Sequence, residues 1–178
     1  MIYLDYSANT PVDPAVLDVY CKTEQTYIAN PNSTHCAGQA ARAEMARVTE
    51  SIARLLGVQP AEIIYTSGAS EANNLAVKGI AQASRHIGKH IISTQLEHSS
   101  VGASLSVLQQ QGYEIDLLNV NRDGRINLDQ LRELLREDTI LVAICAVDSE
   151  IGTVQPIREI AEIVKQYPEC RLHVDATQ

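Results

Sequence analysis

The sequence predicts an α/β protein built on a mainly parallel sheet, and two observations carry that prediction. From about residue 60 onward, short runs rich in β-branched residues alternate with longer stretches whose apolar side chains recur every three or four positions, the pattern of successive βα units. One of the short runs, TILVAICAV over 139–147, is almost wholly apolar, as a strand covered on both faces must be.

In chain order, the pattern begins with an extended arm over 1–15, and a helix opens after Pro14. The loop ANPNSTH (29–35) is too rich in Asn, Pro and Ser to enter a core. A long helix then runs from near 36 to 56 and stops at Gly57. Strands are expected at EIIYTS (62–67), HIIST (90–94), YEIDLL (113–118), TILVAICAV (139–147) and RLHVD (171–175), with 139–147 central. Helices are expected between them at 70–86, 99–111, 127–136 and 156–166, the last with Pro156 suited to a first turn. The domain reading is an arm, 1–15, followed by one incomplete domain, 16–178, because the chain stops at Gln178 just after a strand.

Composition narrows the function classes. At 178 residues and 45% hydrophobic content, the chain can bury about 70% of its unfolded surface and needs neither disulfides nor a structural metal to fold. Cys21, Cys36, Cys145 and Cys170 stand singly with no CxxC pair, which argues against a zinc ribbon, a thioredoxin motif or a secreted scaffold and for a reducing cytoplasm. The opening MIYLDYSANTPVDP lacks the basic flank and apolar centre of a signal peptide. No apolar run approaches the length of about 20 residues that a membrane span needs, so no membrane association is expected. Fourteen Lys and Arg against 22 Asp and Glu give a net charge of -8, with no basic run to meet a phosphate backbone. The absence of Trp and Phe removes most base-stacking platforms, so nucleic acid is not an expected partner.

Four segments carry candidate chemistry. In TSGASEANN (66–74) a strand is expected to run through Ser67, Gly68, Ala69 and Ser70 into a helix, whose unsatisfied amides and dipole suit a phosphate. Ser70 followed by Glu71 is also an ordinary helix cap, and the segment is neither a Walker A loop nor a GxGxxG fingerprint. His98, in QLEHSS (95–100), lies at a strand's carboxyl end, where ligands bind in α/β sheets, or else caps the next helix. Asp175 closes RLHVD and needs a partner if buried, or it caps a turn; Gln178 follows closely enough to share its site. The segment NVNRDGRINLDQ (119–130) nearly spells a calcium loop. Its first residue is Asn, its twelfth is Gln130, and a strand precedes it, so a plain Asp-Gly turn is expected.

The opening YLDYSANTPVDP, NPNSTH, TSGASEANN, the EH of QLEHSS, EIGTVQPI and HVDATQ occur in an order that resembles the NifS/IscS-like cysteine desulfurases. These are pyridoxal-phosphate (PLP) enzymes of the class V aminotransferase group with fold type I, and the resemblance covers the whole chain but only about the first half of a family member. It implies a three-layer αβα large domain and release of sulfur from L-cysteine, leaving L-alanine and an enzyme persulfide for iron–sulfur clusters or thiolated cofactors. By the same resemblance, Ala69 and Ser70 would bind the PLP phosphate. His98 would stack on the pyridine face and assist proton transfer, Asp175 would pair with the pyridine nitrogen, and Gln178 would hydrogen-bond the ring hydroxyl. The family forms homodimers and hands sulfur to an acceptor or scaffold protein.

Two departures qualify the resemblance. Where the family has two asparagines before Glu-Ile/Thr-Gly, this chain has Asp148 and Ser149; Ser149 can still donate one hydrogen bond, whereas Asp148 brings an anion where an anionic substrate is expected. The chain also stops before the family's Schiff-base lysine, persulfide cysteine and carboxylate-binding arginine, and its own four lysines and four cysteines stand in other contexts. The 178 residues alone are therefore expected to be inactive and prone to self-association. Selenocysteine lyase or another class V PLP enzyme, and a non-catalytic truncated paralogue, are the alternative readings.

Overall fold

Asp13 turns the extended arm into helix α1 (Pro14–Thr26): its carboxylate accepts the amides of Ala15 and Val16 at 2.8 and 3.4 Å, while Pro14 sits in the first turn, where its missing N–H costs nothing. The structure, a computed structural model, describes residues 2–178. Helix α2 (Cys36–Leu56) opens on His35, whose Nδ1 accepts from the Gly38 amide, and closes at Gly57 with φ 68°, a left-handed position that suits glycine. A 3-10 turn, Pro60–Glu62, follows, with the Glu62 carboxylate reaching back to the Gln59 amide at 2.6 Å. These elements make one compact unit ending at Tyr65; Thr66–Gln178 makes the other, so α1 and α2 group with the arm rather than with the sheet.

The strand expected at 62–67 does not form. Ile63 is extended, but among the described residues no strand pairs with this segment. Tyr65 is instead tied to α2 by a 2.8 Å bond between its hydroxyl and that of Thr49, and Ile64 is 70% exposed. β-Propensity sets backbone conformation, whereas a strand also needs a neighbour.

In the second unit, α3 (Ala69–Ala83), β1 (His90–Thr94), α4 (Ser99–Gln110), β2 (Glu114–Leu118), α5 (Leu128–Leu134), β3 (Thr139–Cys145), α6 (Ile157–Val164) and β4 (Arg171–Asp175) alternate as the sequence predicts. The four strands are all parallel in the order β2-β1-β3-β4, and β3, buried at every position, is central. It ends at Cys145, two residues earlier than expected, because Val147 pairs back in antiparallel fashion with Val154. Ile91, Leu141 and Ala143 face one way, onto Val77 and Ala81 of α3 and Val101 and Leu105 of α4. Ile92, Val142 and Ile144 face the other way, onto Leu131 of α5 and Ile160 and Val164 of α6. The unit is therefore a three-layer αβα sandwich.

The 119–130 segment folds as the Asp-Gly turn. Gly124 has φ 78°, Asp123 accepts the Arg125 amide, and Val120 pairs with Ile126. Gln130 Oε1 is committed to the Asn119 amide at 2.7 Å, and Asn127 caps α5. No helix among the described residues is long and apolar enough to cross a membrane.

The strand order places the site. From β1 the chain moves outward through α4 to β2, then crosses back through α5 to β3 on the other side of β1, and continues through α6 to β4. The connections leaving β1 and β3 thus diverge, and the crevice outside their carboxyl ends is the topological switch point.

Candidate functional site

Helix α3 begins with an unblocked first turn. Gly68 is its N-cap and offers no side chain, so Ser70 is not the cap the sequence allowed but lies within the first turn. Glu71 does not cover the helix start either, because its carboxylate folds back to accept from the Ser67 amide at 2.6 Å and the Ser67 hydroxyl at 2.7 Å. Those hydrogen bonds hold Glu71 below its ordinary value. The Ala69 and Ser70 amides are left without a side-chain acceptor, in the orientation an anion uses.

One turn into α3, the buried Asn73 joins two of the predicted residues. Its Nδ2 donates to Asp175 Oδ2 at 2.8 Å and to Ser100 Oγ at 3.0 Å, and its Oδ1 accepts from His173 Nε2 at 3.0 Å. Burial lowers the His173 pKa, which suits this neutral donor role. Partial burial works to raise the Asp175 pKa, but hydrogen bonds from Thr177 and Asn73 outweigh it and hold the carboxyl below its ordinary value.

Ser100 carries the network to His98. The His98 Nδ1 accepts the Ser100 amide at 3.2 Å and lies 2.8 Å from Ser100 Oγ. With Oγ already accepting from Asn73, its proton turns to Nδ1, and the neutral ring carries its own proton on Nε2. His98 is thus the N-cap of α4, exposed, with a fixed tautomer. Capping uses only one ring nitrogen and leaves Nε2 out of these bonds.

At the switch point the structure adds a residue to which the sequence reading gave no role. Glu97 turns inward: its Oε1 accepts from the Cys145 amide at 2.9 Å and from Thr94 Oγ1 at 2.9 Å, while its Oε2 is buried without a hydrogen-bond partner. Burial pushes the Glu97 carboxyl up to about 7 against those two hydrogen bonds, and the neighbouring Asp175 adds to the rise. Cys145, also buried, is pushed up to about 12, as is Cys170, which makes both poor nucleophiles; Cys21 and Cys36 are exposed.

The remaining predicted residues stand further out. Ser149 is exposed in the turn after β3, and no hydrogen bond joins it to the Asn73 network. Gln178 is exposed beyond β4, where Thr177 grips Asp175, its amide at 3.1 Å and its hydroxyl at 2.5 Å. Asp148 is buried, and its Oδ1 accepts the Glu150 and Ile151 amides at 2.8 and 2.7 Å. Its carboxyl oxygen is thus engaged inside its own turn. Asp148→Ala is expected to destabilise the fold by about 1–3 kcal/mol, and Asp148→Asn, which keeps the acceptor, by less than about 1 kcal/mol. Denaturant unfolding of the two variants checks this, and equal losses would contradict it.

A parallel αβα unit with an open helix start and an aspartate closing β4 beside its switch point is the arrangement the resemblance to fold type I transferases implies, and comparison with known proteins makes the assignment specific. The aminotransferase class-V family matches residues 2–178, so the chain belongs to that family. It is 43% identical to a NifS/IcsS protein homolog of Lactobacillus delbrueckii subsp. bulgaricus, over 100% of this chain and 46% of that protein. It is 40% identical to a cysteine desulfurase IscS of Dictyoglomus turgidum, over 99% of this chain and 45% of that one. Among solved structures, a NifS-like protein superposes with a TM-score of 0.94 at 36% identity, covering 98% of this chain and 48% of that chain. The structure named SspA in complex with cysteine superposes at 0.89 and 36% identity, covering 98% and 50%. The chain therefore spans about half the length of the relatives it matches.

Proposed function

We propose that the protein containing this chain is a PLP-dependent cysteine desulfurase that takes sulfur from L-cysteine for iron–sulfur or thiolated cofactors, working as a homodimer in the cytoplasm with a sulfur-acceptor or scaffold partner. The observation that carries the reading is one connected constellation: the open first turn of α3, His98 and Asp175, the last two linked through Asn73 and Ser100. It lies in a chain similar over 99% of its length to proteins named for this activity.

The donor set fits the cofactor. The Ala69 and Ser70 amides match a phosphate, and a carboxylate kept ionised by three hydrogen bonds matches a protonated ring nitrogen. PLP, when bound, withdraws the electron pair left at the substrate α-carbon. The chain's own residues prepare for this. Asp175 holds a proton on the ring nitrogen, and α3 anchors the phosphate end. His98, with Nδ1 occupied by Ser100, has its ring face left for stacking and its Nε2 for proton transfer. Ser149 and Gln178 are the proposed outer hydrogen-bond donors, to the substrate or cofactor and to the ring hydroxyl.

The test is a titration of the chain with inorganic phosphate and then with PLP, followed through its amide signals. The Ala69 and Ser70 amides are expected to shift first and most with either ligand, and His98 and Asp175 with PLP alone. Shifts confined to other surfaces would overturn the assignment.

A further inference from the structure

The sheet is incompletely closed at its switch point. The backbone register between β1 and β3 runs only as far as the Ile92–Val142 pair. Beyond it, side chains join the strands: Ser93 Oγ donates to the Ala143 carbonyl at 2.9 Å, and Glu97 Oε1 takes the Cys145 amide where a strand carbonyl would otherwise sit. The same oxygen accepts from Thr94 Oγ1, so a single atom joins the end of β1, the end of β3 and the loop leading to α4. The next residue along that loop is His98, the N-cap of α4.

We propose that Glu97 is a positioning residue of this site, splicing the carboxyl ends of β1 and β3 through Oε1 and so fixing the backbone from which His98 presents its ring. The importance of that ring for catalysis rests on the PLP reading; the splice itself does not. The inward turn of Glu97 needs explanation, because a loop carboxylate normally faces water and burying an unpaired charge is expensive. Here Oε1 is satisfied by two donors and Oε2 by none, an arrangement that suits a carboxylic acid better than an anion. The surroundings agree with this. β4 contributes Asp175, an anion, β3 contributes the neutral Cys145 thiol, and Asp148 lies beyond it. The groove on the α4 and β2 side is lined by Leu105, Gln109, Ile115 and Leu117, none of them charged. Keeping Glu97 neutral leaves Asp175 as the anion reserved for the ring nitrogen.

The sign of the pH effect follows. The folded state holds a proton on Glu97 from about pH 4.5 to about 7, where the unfolded chain has lost it, so stability falls as pH rises through that window. Glutamine, which has the shape of the neutral acid and keeps the Oε1 acceptor, removes this dependence.

The experiment uses the full chain as wild type, Glu97→Gln and Glu97→Ala. Exchange of the Cys145 amide is expected to quicken at least about tenfold in the alanine variant and to stay within about threefold of wild type in the glutamine variant. The His98 Nδ1 resonance should keep its acceptor signature with glutamine and lose it with alanine. Across pH 4.5 to 7 the wild-type folding constant should fall about 10²-fold relative to that of the glutamine variant. Unchanged Cys145 exchange in the alanine variant, or a glutamine variant that behaves like alanine, overturns the proposal. If the alanine variant does not fold, Glu97→Asp, whose carboxyl is one methylene short, decides by the same exchange measurement. None of these readouts needs PLP. A wild-type chain that shows them all while phosphate and PLP shift only amides away from α3 would sink the cofactor reading and leave the splice standing.

Discussion

On the proposed PLP-dependent reading, replacing Asp175 by alanine in a whole protein that contains this chain is expected to lower turnover of L-cysteine by about 10²–10³-fold, while the proposed phosphate contacts at α3 survive. The carboxylate is arranged to stay charged: Thr177 and Asn73 together give it three hydrogen bonds, enough to overcome its partial burial. Because its pKa is depressed, the stability it adds is present above its ordinary value of 3.8 and is lost as pH falls through the lower folded value, so it is ionised at neutral pH. Alanine leaves the Asn73 side chain its bonds to Ser100 and His173, so the network on the His98 side persists. The loss should therefore appear in kcat more than in the cofactor dissociation constant. Normal kcat in a folded variant would remove Asp175 from the chemistry, and a wholly apo protein would show that its role is retention.

The residues of this site differ in how visible they are in the sequence, and for physical reasons. Asp175 and His98 stand at the carboxyl ends of apolar runs, so alternation and strand polarity alone bring them to one edge of the sheet. Asn73 left a weaker trace: with Val77 and Ala81 it completes an i, i+4, i+8 stripe on α3, and a polar residue on a buried stripe must find partners. Those partners come from positions 100, 173 and 175, which local periodicity does not relate to it. Glu97 stands in the EH pair of QLEHSS, but nothing in the sequence signalled its burial. It lies on a loop, where no period signals burial, and what buries it is the divergence of two connections at the switch point, a property of strand order rather than of any window of residues. The absent strand at 62–67 is the converse case. Ile63, Ile64 and Tyr65 have the right propensity, yet pairing depends on a neighbour that the local sequence cannot specify.

Asn73→Leu tests whether the network also supports the fold, and it is expected to cost about 2–4 kcal/mol of unfolding free energy. Leucine has the same branching and number of side-chain heavy atoms and is the larger of the two, so a cavity does not account for the loss. What it removes is the hydrogen bond to an ionised Asp175, the acceptor for His173 and the donor that orients Ser100. His173 is largely buried and is left with an N–H that water reaches poorly, and Asp175 keeps only the Thr177 side of its support, so its pKa should rise toward the ordinary value. Ser100, freed from Asn73, no longer has a fixed direction for its hydroxyl proton, and the preference of His98 for the Nε2 tautomer should weaken. Denaturant unfolding and the His98 nitrogen shifts measure the two consequences separately. A variant within about 0.5 kcal/mol of wild type with unchanged His98 shifts would mean that Asn73 only fills space and that His98 and Asp175 are held independently.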